Sequence, residues 1–284
     1  MRLTGVGRRY GPRGPWVLRG VDLDLPASRL VRVTGGNGSG KSTLLRLIAG
    51  VDAPAEGRVT GRPARTAYVP ERFPAALPFT ALDYLTHLGR LQGLRGAAAR
   101  DRAGEWLERL GAARHARTPL AELSKGTSQK VAVAQALLAA PDLLVLDEAW
   151  TGLDTASRAV LDHAVRERVA RGATVVFVDH EPRRLEGEAD AEYAVTQGRV
   201  RPGPAPGSRR SAARVRIVAS GGRTLPADLP GGTAVVPGPG DATVLTVPAD
   251  RSDALLGALL AASWHIHHLA PAGAERNDEE GVRV

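Results

Sequence analysis

The chain has 284 residues, 43% of them apolar, and a net charge of +8 at pH 7. That length and apolar share support a sizeable buried core and more than one domain, and exclude wholesale disorder. The absence of cysteine excludes disulfides, thiolate nucleophiles and cysteine-held zinc. The positive charge is almost all arginine, since Lys41, Lys125 and Lys130 are the only lysines, so it is weak evidence for a nucleic-acid partner. The N-terminal "MRLTGVGRRYGPRGPW" lacks the apolar stretch of a signal peptide, and no run approaches the ~20 apolar residues of a membrane span. The expectation is a chain that is soluble by itself and needs a partner for any work at a membrane.

In chain order, the first clear unit is "RLVRVTGGNGSGKSTLLRLIAG": a strand over Leu30–Thr34, a glycine-rich turn, then a helix from about Lys41. Residues 81–138 are helical in pattern, an all-α insertion. Two β-rich apolar runs follow, "LLVLD" (143–147) and "ATVVFVD" (173–179), separated by helical spacing over 155–171. Strand–helix–strand alternation predicts a parallel sheet with helical cover. The stretch 198–216, rich in Pro, Gly and Arg, reads as a linker or exposed turn. Beyond it, strand patterns at Val215–Ala219, Thr233–Val236, Thr243–Val247 and Trp264–Leu269, with a helix near Ser252–Ala262, suggest a small second α/β unit of βαβ type. The fold class expected is α/β: a P-loop NTPase core with a parallel sheet and an inserted helical subdomain, plus a small C-terminal α/β domain. The expected domains are 1–200 (with 81–130 as the helical subdomain), a 201–213 linker, 214–272, and a flexible tail over 273–284.

Chemistry concentrates at two motifs. "GGNGSGKST", residues 35–43, fits G-x-x-x-x-G-K-[ST] between a strand and a helix. Gly35, Gly36, Asn37, Gly38, Ser39 and Gly40 let the backbone curl so that N–H groups point at phosphate oxygens, and the helix N-terminus adds a positive dipole. Lys41 would reach the β- and γ-phosphates, Ser42 would offer its hydroxyl to Mg²⁺, and Thr43 follows in the motif. In "LLVLDEAW", an apolar strand delivers Asp147 and Glu148 to its C-terminal end, where ligands bind in open α/β sheets. Asp147 would hold Mg²⁺ and Glu148 would polarise an attacking water as general base. An acidic pair capping a helix is the alternative for Asp147 and Glu148 taken alone. Together the motifs imply an ATP- or GTP-hydrolysing module.

"LSKGTSQK" (123–130) carries no catalytic group, yet with it the chain resembles the nucleotide-binding subunit of ABC (ATP-binding cassette) transporters. Leu123-Ser124-Lys125-Gly126-Thr127 is similar to the family signature L-S-G-G-Q. The resemblance continues through "WTGLD" as a D-loop ending at Asp154, His180 in "VFVDHE" as the switch histidine, Tyr10 in "RRYGP" as the adenine-stacking aromatic, and 61–72 as the Q-loop. Singly, these residues also read as a strand-end histidine, a surface tyrosine and a helix N-cap; their joint order over 1–200 carries the likeness. It implies ATP and Mg²⁺ as cofactors, with catalytic Glu148, His180 and Lys41. It also implies Tyr10, residues 35–43, Glu71, Ser124, Gly126 and Asp154 at the nucleotide, and Ser42, Asp147 and Glu71 near the metal.

Two departures stand out. Glu71 occupies the Q-loop glutamine position, keeping an acceptor but no donor, and Lys125 and Thr127 replace glycine and glutamine in the signature. Lys125 either adds charge at a phosphate or is simply solvated. The resemblance further implies head-to-tail closure of two nucleotide-binding subunits, expected as a homodimer, around two ATP molecules. An integral-membrane permease is the implied partner, at the cytoplasmic face of the membrane, with export the expected direction from a likeness of the C-terminal unit to extensions on ABC-2-type exporter ATPases. The alternative is a soluble ABC ATPase acting on ribosomes or nucleic acid; the single cassette and the lack of a long heptad coiled coil count against that partner class. His265, His267 and His268 read as ordinary strand residues or as an incomplete metal cluster.

Overall fold

The computed structural model describes all residues except 12, 74–76, 182, 204–213, 222–224, 226–228, 230–232 and 272–284. It divides into two units, Met1–Gly203 and Pro204–Val284.

The first unit is built on a six-stranded sheet, β5–β6–β7–β3–β8–β9 in spatial order. Its strands are β3 (Leu30–Thr34), β5 (Thr66–Val69), β6 (Leu143–Asp147), β7 (Thr174–Val178), β8 (Ala191–Thr196) and β9 (Arg199–Pro202). All neighbours run parallel except β8 and β9. In β6 and β7 every residue is buried, because both faces of the sheet are covered. Alternation still partitions them. Leu144, Leu146, Val175 and Phe177 join a core with the helical layer, while Leu143, Val145, Val176 and Val178 join a second core on the opposite face. Each such side chain contributes on the order of 2 kcal/mol.

The second core is closed by α1 (Lys41–Ala49) and by an antiparallel sheet of β1 (Arg2–Arg9), β2 (Trp16–Asp24) and β4 (Glu56–Thr60), in the order β2–β1–β4. This second sheet is absent from the sequence reading. Register shifts break the pairing of β1 with both neighbours, and glycines interrupt its sequence, so only Leu3 and Val6 signal a buried face. The helical insertion is present as α2 (Ala81–Leu91), α3 (Gly96–Arg109) and α4 (Lys125–Leu137). Thr80 caps α2 by accepting the Asp83 N–H. The buried residues of α4 pack into the same core as β6, so this helix belongs to the sheet as much as to the insertion. Helix α5 (Thr155–Ala170) links β6 to β7.

The second unit has its own core of Ile217, Ala219, Leu245, Val247, Leu255, Leu259 and Trp264. Its sheet, β11–β12–β10–β13, is antiparallel throughout, with β10 (Arg214–Ser220), β11 (Ala234–Pro237), β12 (Thr243–Pro248) and β13 (His265–Pro271). Because β10 pairs antiparallel with both β12 and β13, those two run parallel to each other, joined by α6 (Ser252–Ala261). The expected βαβ arrangement is thus a split one, with β10 inserted between its strands. Arg201 and Pro202, expected in a linker, belong to β9, and Gly203 donates its N–H to the Glu192 carbonyl at 2.7 Å; residues 204–213 and the 273–284 tail lie outside the described residues.

Candidate nucleotide-binding and hydrolysis site

The glycine-rich turn leaves β3 and enters α1 through left-handed backbone at Gly38 (φ 72°) and Gly40 (φ 106°). A side chain at Gly35 would run into the Val195 carbonyl oxygen and the Ser39 hydroxyl, so the loop seats against β8 only with glycine there. Lys41 folds back across the loop, its Nζ donating to the carbonyl oxygens of Gly35 and Gly36, both at 2.9 Å. The Ser39 Oγ is buried in this loop with no hydrogen-bond partner, an unsatisfied donor in keeping with a loop shaped for an anion. A cleft of about 370 Å³, in the range of small-molecule sites, is lined by Asn37, Gly38, Gly40, Lys41, Ser42, Thr43, Val17, Glu71, Glu148 and His180.

Behind the cleft, Asp147 ends β6 almost fully buried and is held from two sides. Ser42 Oγ donates to its Oδ1 at 3.1 Å and Tyr68 Oη donates to Oδ2 at 3.0 Å. Burial pushes the Asp147 carboxyl up from the ordinary value, opposed by the Tyr68 and Ser42 hydrogen bonds, and Glu71 adds to the rise. The Tyr68 phenol is itself pushed far up, by burial first and by the Asp147 charge second.

Glu148 follows in left-handed backbone (φ 54°), with its N–H bonded to the Val178 carbonyl at the end of β7. That conformation aims its carboxylate at His180, whose Nε2 lies 2.6 Å from Oε1. Burial raises the Glu148 pKa, His180 lowers it, and Glu71 and Asp147 raise it further. Such a carboxyl is tuned toward basic, proton-accepting behaviour. Tyr10 lies beside the loop: its hydroxyl is 3.2 Å from Thr43 Oγ1 and 3.4 Å from Asp52 Oδ2, and the Arg8 guanidinium covers one ring face at 5.0 Å. One face is therefore already occupied.

Ser42 and Asp147 offer two hard oxygens side by side, a donor set that suits Mg²⁺ completed by phosphate and water rather than an all-protein cage. Among the described residues, no group of three or more His, Asp or Glu could hold a metal alone, and this includes His265, His267 and His268. His267 Nε2 instead meets Ser220 Oγ at 2.6 Å.

Ser124, Gly126 and Asp154 are not among the residues lining this cleft. Ser124 is exposed and caps α4, accepting the Thr127 N–H at 3.1 Å. Gly126 packs against the loop before α5, where an added Cβ would sit 2.9 Å from the Gly152 carbonyl oxygen. Asp154 caps α5 through the Ser157 N–H and meets Lys130 Nζ at 2.6 Å. The Lys130 hydrogen bond, then those from Ser157, hold its pKa far below the usual range. Lys125 is exposed.

Three residues have roles here that the sequence reading did not assign: Tyr68, Val17 and Gln129, whose buried Nε2 donates to the Ala149 carbonyl at 3.1 Å. Tyr68 lies on a strand that pairs in parallel with β6, and nothing in its local sequence reveals that pairing.

A family model described as ABC transporter matches residues 18–151. The chain is 36% identical to an aliphatic sulfonates import ATP-binding protein, SsuB 1 of Mesorhizobium japonicum (strain LMG 29417 / CECT 9101 / MAFF 303099), over 69% of this chain and 75% of that one. It is 34% identical to the ABC transporter ATP-binding protein YhaQ of Bacillus subtilis (strain 168), over 59% of each chain. With a zinc import ATP-binding protein, ZnuC of Chelativorans sp. (strain BNC1), it shares 37% identity over 64% of this chain and 62% of that one. The chain thus spans less than two thirds of the length of some of these relatives. Among solved structures, an ATP-binding subunit of an ABC transporter superposes with a TM-score of 0.66 at 27% identity, covering 74% of this chain and 91% of that one. The dimeric post-hydrolysis state of the cassette MJ0796 with ADP and Pi superposes at 0.64 and 25% identity, covering 71% and 97%.

Proposed function

The chain belongs to the ABC transporter family of ATP-binding proteins, and from that premise we propose that it hydrolyses ATP in this cleft to energise a separate integral-membrane permease. The observation that carries the reading is the convergence of Lys41, the Ser42–Asp147 pair and the His180–Glu148 pair at the carboxyl ends of β3, β6 and β7.

In this reading the loop N–H groups and Lys41 bind the phosphates, Lys41 leaving its carbonyl partners for the ligand. Tyr10 offers its uncovered face to the base. Ser42 and Asp147, with Glu71 in the cleft lining, would hold Mg²⁺, which would supply positive charge to the phosphate oxygens. Glu148 accepts a proton from water as the water oxygen bonds to the γ-phosphorus and ADP leaves. His180 orients that carboxylate and contacts the γ-phosphate.

The exposed signature, distant in role from its own cleft, serves the ATP of a second copy through Ser124 and Gly126, with Asp154 at the same junction. ATP then acts as the ligand that favours the closed homodimer, and hydrolysis removes that preference. The dimeric form of the MJ0796 cassette supports this arrangement. Work at the cytoplasmic face of a membrane fits the absence, among the described residues, of any helix long and apolar enough to cross one.

For direction, we propose export, on the likeness of the C-terminal unit to extensions of exporter ATPases. The sulfonate and zinc relatives are import proteins by name, but the cassette's chemistry carries no direction, which belongs to the permease. Mild-detergent purification of the tagged chain from native membranes tests the reading. A polytopic membrane partner is expected; ribosomal proteins in its place would overturn it. Substrate movement in vesicles containing that partner, with ATP on the cassette side, then decides direction.

A further inference from the structure

Beyond the cleft, one guanidinium joins the loop carrying His180 to the loop that follows Glu148. The Arg184 side chain is only 12% exposed, and its Nη2 donates to Glu181 Oε2 at 2.6 Å. Its Nη1 lies 3.5 Å from Asp162 Oδ2 on α5, and its Nε lies 3.6 Å from Asp179 Oδ2. The same group sits 5.5 Å from the Trp150 ring centre. Trp150, fully buried two residues after Glu148, donates its indole N–H to Asp162 Oδ1 at 2.7 Å. Asp179 and Glu181 flank His180 directly, and the Glu181 N–H closes onto Asp179 Oδ1 at 2.6 Å. The His180 side chain is 58% exposed, with Glu148 as its close partner. What aims the imidazole is therefore the loop beneath it, and Arg184 ties that loop to Trp150 and α5.

We propose that Arg184 is the positioning residue that holds His180 in register with Glu148; the proposal rests on the hydrolytic reading of that pair. Three carboxylates, Asp162, Asp179 and Glu181, converge on this one guanidinium. Without it they repel one another, and the two that flank His180 are displaced with it. Arginine suits the place because a planar fork can address several acceptors while stacking on an indole, which an ammonium cannot. Arg184 Nε and Asp179 Oδ2 are both buried without a hydrogen bond, facing each other just beyond bonding distance.

The test is a double-variant cycle in the full chain with ATP turnover and ATP affinity as separate readouts. Arg184→Met should lower kcat roughly tenfold with KM and ATP Kd changed less than about threefold, as expected for lost alignment rather than lost binding. In a His180→Ala background the same change should have almost no further effect, because the residue acts through His180. Equal factors in both backgrounds would overturn the proposal and leave Arg184 a structural residue. Full turnover by His180→Ala alone would instead sink the role given to His180, and the proposal with it. Should Arg184→Met not fold, Arg184→Lys and Asp162→Asn run through the same cycle, each expected to give a smaller loss that likewise vanishes without His180. A loss that persists there would count against the proposal.

Discussion

Asp147 sits 1% exposed at the end of a central strand, and its two oxygens are satisfied by Ser42 and Tyr68. Tyr68→Phe removes one donor and leaves a buried carboxylate oxygen unpaired, so about 1–2 kcal/mol of stability should be lost in denaturant unfolding. The Asp147 pKa should rise further, since that bond lowers it. Glu148→Gln keeps the shape of the side chain but cannot accept the proton. Turnover should fall at least about 100-fold while ATP binding persists and dimer accumulates on gel filtration with ATP. Normal turnover in that variant would remove Glu148 from the base role. Both residues were legible in "LLVLDEAW", because a buried apolar strand ending in adjacent carboxylates is a local pattern. Tyr68 was not, since its role depends on which strand lies beside β6.

Helices α4 and α5 begin at residues that serve them as caps whatever else they do. Ser124→Ala removes an N-cap and should cost about 1 kcal/mol. Ser124→Arg adds bulk on an exposed surface and should block ATP-driven dimer formation while ATP binding to the monomer is unchanged; undiminished ATPase activity would argue against a composite site. Asp154 carries a pKa lowered from 3.8 by Lys130 and Ser157. A lowered folded value means stability that is present above pH 3.8 and lost as pH falls through the folded value. Lys130→Met should therefore be less stable than the parent at neutral pH, by about 0.5 kcal/mol, because solvent screens the half-exposed Asp154 carboxylate even though the Lys130 side chain is largely buried. The gap should narrow below pH 3.8 in chemical denaturation at stepped pH, and a gap that stays constant would assign the loss to packing.

At the scale of the whole molecule, each of the two units has its own hydrophobic core. A chain ending at Gly203 should consequently fold and bind ATP within about threefold of the full chain, as measured by nucleotide titration. The sequence by itself determined the phosphate loop and the acidic strand end, because each rests on residues close together in the chain, and strand–helix–strand alternation pointed to a parallel sheet through β3, β6 and β7, while β5, β8 and β9 emerged only with the tertiary structure. It also placed the strands of the second unit to within a residue or two, whereas the expected end of the helical insertion at 130 falls inside α4 (Lys125–Leu137). Only the tertiary structure decided the antiparallel β2–β1–β4 sheet, whose bulged strands carry no clean alternation. The same holds for the donor from Tyr68 to Asp147, the tie from Gln129 to Ala149 and the convergence of three carboxylates on Arg184. Local pattern records the conformational preference of a segment and which of its faces is apolar. It does not record which distant side chain will satisfy a buried polar group, because that is fixed by strand order and packing across the whole domain.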